Sequence, residues 1–298
     1  MQKQVFLVYN PGSGSMRGKN GFQRIVRLLE EEGFSVKCAD LQTIEALKPL
    51  VGNSDALAIA GGDGTVNAVA SLLLNEGIEN PPPLAIFPGG TANDLFRQIY
   101  RNRTAGDIPA LIREGRTAAL DIGRINDSYF VNVAAAGMFA DVAYLTPGRV
   151  KRLLGKPAYY LHALVKLFTY RSFKLIIETE IESREEKVLL FSVLNGSKAG
   201  GLFTVAPGAA LNDGKLHLLA IKKGLTAARM VNILYRAMRG TALDLPGVIN
   251  LSATEFKLHF PDDRQTVIDG EVGPPPPLQI KMLPGRLPFY TPGPDPER

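Results

Sequence analysis

Two glycine loops, each set directly behind a short apolar run, constrain the fold of this chain more than any other feature. Residues 56–60 run into Gly61-Gly62-Asp63-Gly64-Thr65, and a helical pattern follows over 66–74. Residues 84–87 run into Pro88-Gly89-Gly90-Thr91-Ala92-Asn93-Asp94, again ahead of a helical pattern. A third apolar run, 5–9, leads into Asn10-Pro11-Gly12. Residues 22–32 then read as an amphipathic helix with Phe22, Ile25, Leu28 and Leu29 inward and Gly33 placed to end it. Strand, glycine turn and helix, repeated, is the grammar of an open, mostly parallel α/β sheet. In such sheets ligands bind beyond the carboxyl ends of the strands.

After about Asp121 the grammar changes. Residues 173–181, 187–194, 215–221, 255–260 and 278–283 read as strands, and 225–238 as one clear helix ended by Gly240. The pattern predicts two domains: an α/β nucleotide-binding domain over 1–120 and a β-sandwich-like substrate domain over 121–284. The tail from about 285 to 298 is expected to pack back on the first. The active site is expected in the cleft between them.

Composition narrows the function classes. With 45% hydrophobic and 21% charged residues over 298 positions, the chain can build a real core. Its single cysteine, Cys38, excludes a disulfide framework, and its three histidines show no metal-ligand spacing. No apolar run approaches the roughly 18 residues of a membrane span, and the run at 5–9 is too short for a signal-peptide core. The expected location is therefore cytoplasmic, with peripheral contact at the inner face of the membrane. A net charge of +5 favours anionic ligands or surfaces but is too small to imply nucleic acid.

The glycine loops carry the chemistry. Successive glycines let backbone N–H groups converge on an anion, and a following helix adds its positive end. Asp63 is electrostatically odd in such a loop. It needs a Mg²⁺ between it and phosphate, or a substrate hydroxyl to accept from; alternatively the loop is a tight turn with Asp63 or Thr65 as helix cap. If the sheet is parallel, both loops emerge on one edge and bring Asp63 and Asp94 towards one site. Arg97, one turn on, can then meet phosphate oxygens or pair with Asp94. A Walker A loop is absent, since Ser13 replaces its first glycine and Asn20 follows Lys19. Protein-kinase signatures and a Gly-x-Ser-x-Gly elbow are absent too. Leu211-Asn212-Asp213-Gly214-Lys215 and Ile268-Asp269-Gly270-Glu271 are acidic turns beside strands. They read either as hairpin chemistry or as a hard-cation ligand (Asp213) and a general base (Glu271).

Taken together, five motifs resemble the diacylglycerol kinase catalytic-domain superfamily, most closely the bacterial YegS-like lipid kinases. They are Asn10-Pro11-Gly12-Ser13-Gly14, residues 61–67, residues 90–94, Asn195-Gly196 through Asn212-Asp213-Gly214, and Asp269-Gly270-Glu271. The resemblance runs from the first strand to the last; Gly-Gly-Asp-Gly-Thr alone is shared with NAD kinases. It implies ATP- and Mg²⁺-dependent phosphorylation of a hydroxyl on a lipid such as diacylglycerol or phosphatidylglycerol. Gly61, Gly62, Asp63, Gly64, Thr65, Val66, Asn67, Ala68 and Thr91 match ATP-binding positions, with Asn10 and Arg97 near the phosphates. Glu271 matches the proton acceptor, and Asp63 and Asp94 join it as catalytic candidates. Asp213, with backbone carbonyls at Ala210 and Lys215, matches a structural Mg²⁺ site. Two departures stand out: Ala68 where the family often has glutamate, and Gly12-Ser13-Gly14 where several members carry lysine. They keep open a non-catalytic nucleotide- or lipid-binding relative, and the shared first loop keeps open an NAD kinase-like metabolite kinase.

Between Val142 and Ile177 there is no Asp or Glu, while Arg149, Lys151, Arg152, Lys156, Lys166, Arg171 and Lys174 are basic. Interleaved with Tyr159, Tyr160, Leu164, Leu167 and Phe168, this stretch reads as a face for an anionic membrane, or as a solvated basic face over a buried helix.

Overall fold

The computed structural model describes residues 2–13, 21–43, 54–138, 170–201, 203–242, 244–261 and 264–293. They belong to two units: Met1–Ile122 with Pro284–Arg298, and Gly123–Leu283. The basic stretch beginning at Val142 lies outside the described residues as far as residue 169.

The first unit runs β1 (Gln4–Tyr9), α1 (Gly21–Glu31), β2 (Ser35–Asp40), β3 (Ala56–Gly61), α2 (Asp63–Asn75), β4 (Leu84–Pro88), α3 (Asp94–Tyr100), α4 (Ile108–Glu114) and the start of β5 (Thr117–Ile125). The strands lie in the order β4-β3-β1-β2, each pair parallel. Parallel strands are covered on both faces, so they read as unbroken apolar runs. Accordingly β3 is buried at every position, and Val5 to Val8 of β1 are all shielded from solvent. The outermost strand, β2, is the exception: Ser-Val-Lys-Cys-Ala-Asp is only partly covered, and nothing in its pattern marks it as a strand. Ile25 and Leu29 anchor α1, Phe22 stacks on Tyr9 with centroids 4.3 Å apart, and Gly33 ends the helix at φ +87°. The wholly buried Tyr100 fixes α3 to β4, its hydroxyl accepting the Ile86 N–H at 3.1 Å. Burial pushes that phenol well above its usual range.

The second unit contains β6 (Ser128–Phe130), β7 (Val133–Gly137), β8 (Phe173–Glu178), β9 (Ser183–Leu194), β10 (Lys198–Ala199), β11 (Phe203–Thr204), β12 (Leu216–Lys222), α5 (Ala227–Met238), β13 (Val248–Ala253), β14 (Glu255–His259), β15 (Thr266–Ile268), β16 (Glu271–Val272) and the start of β17 (Leu278–Tyr290). Its pairings are antiparallel, in the order β16-β15-β7-β9-β8-β14-β17, with β12 bonded to β9 and β13. Alternate residues build the core: Leu175 and Ile177, Phe191 and Val193, Leu218 and Ala220, Phe256 and Leu258, Ile280 and Met282. The other faces of β9 and β12 offer Leu190, Leu194, Leu219 and Ile221, which pack with Met230 and Ile233 of α5. Covering both faces explains why these two strands read as nearly continuous apolar runs.

The strand expected over 173–181 stops at Glu178. Thr179 turns the chain: its N–H donates to the Glu182 carbonyl, and its hydroxyl accepts from the Glu182 N–H at 3.1 Å. The final strand is shared. Leu278 to Lys281 pair with β14, while Phe289 pairs in parallel with Leu84 of β4. In the first unit the Gly285 N–H donates to the buried Asp121 at 2.8 Å, and the Thr291 N–H to the Arg116 carbonyl at 3.0 Å.

Candidate active site

Three loops leave the carboxyl ends of β1, β3 and β4 side by side. The Asn10 N–H donates to the Ala60 carbonyl at 3.1 Å, and the Gly89 N–H to the Gly61 carbonyl at 2.7 Å. Asn10 holds its own turn by accepting from the Gly12 N–H at 2.8 Å, and its amide reaches the Thr65 hydroxyl at 3.3 Å. The glycines are required by contact. A β carbon on Gly61 would fall 2.3 Å from the Thr65 hydroxyl oxygen, and one on Gly62 would meet the Gly90 backbone at 3.0 Å.

Asp63 links the second and third loops. Its two carboxylate oxygens accept the Asp94 and Leu95 N–H groups, each at 3.0 Å, so it caps α3 from outside that helix. The expectation that Asp63 or Thr65 caps the helix they open is corrected: the N-cap of α2 is Gly62, which offers no side chain. Burial pushes the Asp63 carboxyl up, against the pull of the Leu95 and Asp94 N–H groups and the Arg97 charge. Asp63 and Asp94 therefore do come together, but through the Asp94 backbone. Asn93 completes the loop in the left-handed conformation, φ 51°, exchanging hydrogen bonds with Gly90 at 2.8 and 2.9 Å.

This leaves the two helix starts chemically different. The amino end of α3 is occupied by a protein carboxylate, whereas that of α2 has a glycine cap with no side-chain bond. Gly64, Thr65, Val66, Asn67 and Ala68 make up the first turns of α2, and Thr91 and Arg97 are exposed on the neighbouring loop and helix. Asn67 is 8% exposed, and among the described residues its buried side-chain oxygen has no hydrogen-bond partner.

In the second unit the Asp213 loop is closed from three sides. Its oxygens accept the Ala210 N–H at 3.1 Å and the Lys215 N–H at 2.9 Å, and His217 Nε2 lies 3.0 Å from Oδ2. The other ring nitrogen of His217 bonds Ser252 Oγ at 2.9 Å. A carboxylate has about four acceptor directions, so one remains beyond these three partners among the described residues. Among the described residues no three acidic, histidine or cysteine side chains cluster as a metal cage. Ala210 and Lys215 turn N–H groups to this carboxylate, so a cation here would have one carboxylate as its side-chain ligand and would keep most of its waters, as Mg²⁺ does.

Ile268 to Glu271 forms a two-residue hairpin between β15 and β16, with Asp269 at φ 48° and Gly270 at φ 92°. Both central residues have the positive φ that the primed hairpin turns require. Asp269 is also buried, and its carboxylate accepts from Val131 at 2.7 Å, Asn132 at 3.0 Å and Val133 at 2.9 Å. Glu271, the first residue after the turn, is exposed.

Comparison with known proteins places this architecture. The diacylglycerol kinase catalytic domain model matches residues 4–125, and the YegS C-terminal NAD kinase beta sandwich-like domain model matches residues 132–291. The chain belongs to the diacylglycerol kinase family. The diacylglycerol kinase of Bacillus subtilis (strain 168) is 30% identical over 294 residues, 96% of this chain and 93% of the relative. That of Staphylococcus saprophyticus is 31% identical over 297 residues, covering 98% and 96%. A crystal structure of a diacylglycerol kinase from Bacillus anthracis shares the fold with a TM-score of 0.78 at 22% identity, covering 97% of each chain. Family membership supplies a kinase catalytic domain, and with it phosphotransferase chemistry on a lipid or metabolite and use of a nucleotide cofactor. Among the described residues no helix is long and apolar enough to cross a membrane.

Sequence reasoning gave no role to Asn93, Asp269 or His217. The first two stand inside quoted motifs, and their signal is a short polar side chain where the chain must turn at positive φ. His217 reaches Asp213, four residues before it, and Ser252, 35 residues on, and the second partner has no local signal.

Proposed function

We propose that this chain is an ATP-dependent lipid kinase that phosphorylates a hydroxyl of a lipid such as diacylglycerol or phosphatidylglycerol. The observation that carries the reading is the uncapped amino end of α2, beside the touching Gly62 and Gly90 backbones and the unsatisfied Asn67 oxygen. A nucleotide suits that place: phosphate suits the positive end of a helix that no side chain caps, and a ribose or amino donor suits a buried acceptor.

When bound, ATP supplies the transferable phosphoryl group, and Mg²⁺ offsets its charge. Gly61, Gly62, Asp63, Gly64, Thr65, Val66, Asn67, Ala68 and Thr91 form the nucleotide surface. Asn10 and Arg97 stand towards the phosphates. Asp63 keeps the two glycine loops together by holding α3, and Asp94 stands at that capped start. Glu271 accepts the proton of the attacking hydroxyl; a carboxylate within reach of solvent regains its charge without reorganising the fold. Asp213, with the carbonyls of Ala210 and Lys215, holds a Mg²⁺ that braces the loop before β12.

The test is transfer of labelled phosphate from the γ position of ATP to diacylglycerol, phosphatidylglycerol and NAD, offered separately. Labelled lipid is expected. Label on NAD alone, or nucleotide binding with no labelled acceptor, would overturn the lipid kinase reading.

A further inference from the structure

Helix α5 has more apolar surface than the protein covers. Met230 and Ile233 face the core, 2% and 3% exposed. Val231, Tyr235 and Met238 follow one another four and three residues apart, which sets them in one stripe on a helix. Each is 51% exposed. An ordinary surface helix turns charge to solvent opposite its buried face. Here a second apolar stripe lies outside instead.

Its charge is one-sided. From Leu216 to Leu243 the sequence has no Asp or Glu, while Lys222, Lys223, Arg229, Arg236 and Arg239 are basic. Lys222 is paired with Glu186 at 2.5 Å, but Arg229, Arg236 and Arg239 lie on or beside α5 and are exposed. The Arg239 guanidinium stacks over the Tyr235 ring, 4.8 Å from its centroid, which holds a cation against the apolar stripe.

We propose that this face of α5 seats the protein on an anionic lipid bilayer, with Val231, Tyr235 and Met238 entering the interface and Arg236 and Arg239 at the headgroups. Apolar and aromatic residues beside arginines are what a bilayer boundary selects. A second copy of the chain fits poorly, because a two-fold contact would set these arginines against their own counterparts. Three half-exposed side chains also fall far short of the roughly 800 Å² per partner of a specific protein interface. The choice of a membrane as occupant rests on the lipid kinase reading; the surface itself does not.

The experiment is co-sedimentation with phosphatidylglycerol–phosphatidylcholine vesicles and with pure phosphatidylcholine vesicles, without ATP. Three proteins are compared: wild type, Y235S/M238S and R236E/R239E. Wild type should bind the anionic vesicles and release them as salt rises. Each double variant should bind at least about tenfold more weakly, with thermal unfolding little changed because the substituted side chains are exposed. Kinase assay on a water-soluble short-chain diacylglycerol, which needs no bilayer, separates the two readings. Unaltered soluble turnover with lost vesicle binding supports the surface. A wild type that binds vesicles through α5 yet labels no acceptor would sink the kinase assignment alone. Vesicle binding that survives both double variants, or a dimer that only these variants dissociate, would overturn the membrane face.

Discussion

Gly62 and Gly90 touch through their backbones, so closely that a β carbon on Gly90 would stand 2.6 Å from the Gly62 Cα. That carbon would also come within 2.9 Å of the Asn93 side-chain oxygen. The contact with the Gly62 Cα cannot be relieved by turning a side chain, and moving the Asn93 oxygen would break its bond from the Gly90 N–H. Gly90→Ala should therefore cost about 1–3 kcal/mol, the usual range for overpacking, and weaken nucleotide binding by separating the loops. Denaturant unfolding and ATP titration check both effects; a variant as stable as wild type would show that the loops do not need this contact.

Asp63 makes a prediction in pH. Its carboxyl is pushed above its ordinary value of 3.8, chiefly by burial, so the folded state holds the proton more tightly than the unfolded chain does. Its contribution to stability is then complete below the unfolded value and is lost as pH rises through the folded one. The stability of wild type relative to Asp63→Asn should fall with rising pH in this acid window. Unfolding free energies measured across it decide the matter. A difference that grows with pH would mean the Asp94 and Leu95 N–H groups outweigh burial.

How much of this was legible in the sequence depends on which physical signal each feature emits. The strands β1, β3 and β4 are apolar runs ahead of glycine turns, and parallel packing makes such runs unambiguous. Edge strand β2 lacks them because none of its residues is fully covered. The glycine motifs located the candidate site, yet the partner of the Asp63 carboxylate lies 31 residues on, across two loops, and no local pattern announces it. The same holds for Asp269, whose partners are 136 to 138 residues away.

Asp269 and Glu271 flank Gly270 but should respond oppositely to substitution. Asp269→Ala leaves three N–H groups, on Val131, Asn132 and Val133, without their acceptor, and should cost about 3–5 kcal/mol. Glu271→Gln should leave thermal unfolding and ATP binding near wild type while lowering turnover at least about 10²-fold. Unchanged turnover in Glu271→Gln would remove it as the proton acceptor.

The Asp213 loop should respond to Mg²⁺. Asp213→Ala removes the acceptor of the Ala210 and Lys215 N–H groups and should lower stability by about 1–2 kcal/mol. It should also abolish any rise in melting temperature on adding Mg²⁺ in the absence of nucleotide. A variant whose melting still responds to Mg²⁺ as wild type does would place the ion elsewhere.

The sharing of β17 bears on how the chain is made. Translation delivers Met1–Ile122 first, but the sheet those residues begin lacks its Phe289 neighbour until Pro284–Tyr290 has been synthesised. Until then Asp121 awaits the Gly285 N–H, and the edge of β4 at Leu84 stays open. An open edge on a nascent sheet is a template for wrong pairing. The first unit to leave the ribosome is thus the last to close, and a stop codon just after Leu283 would complete the second unit while leaving the first one unfinished.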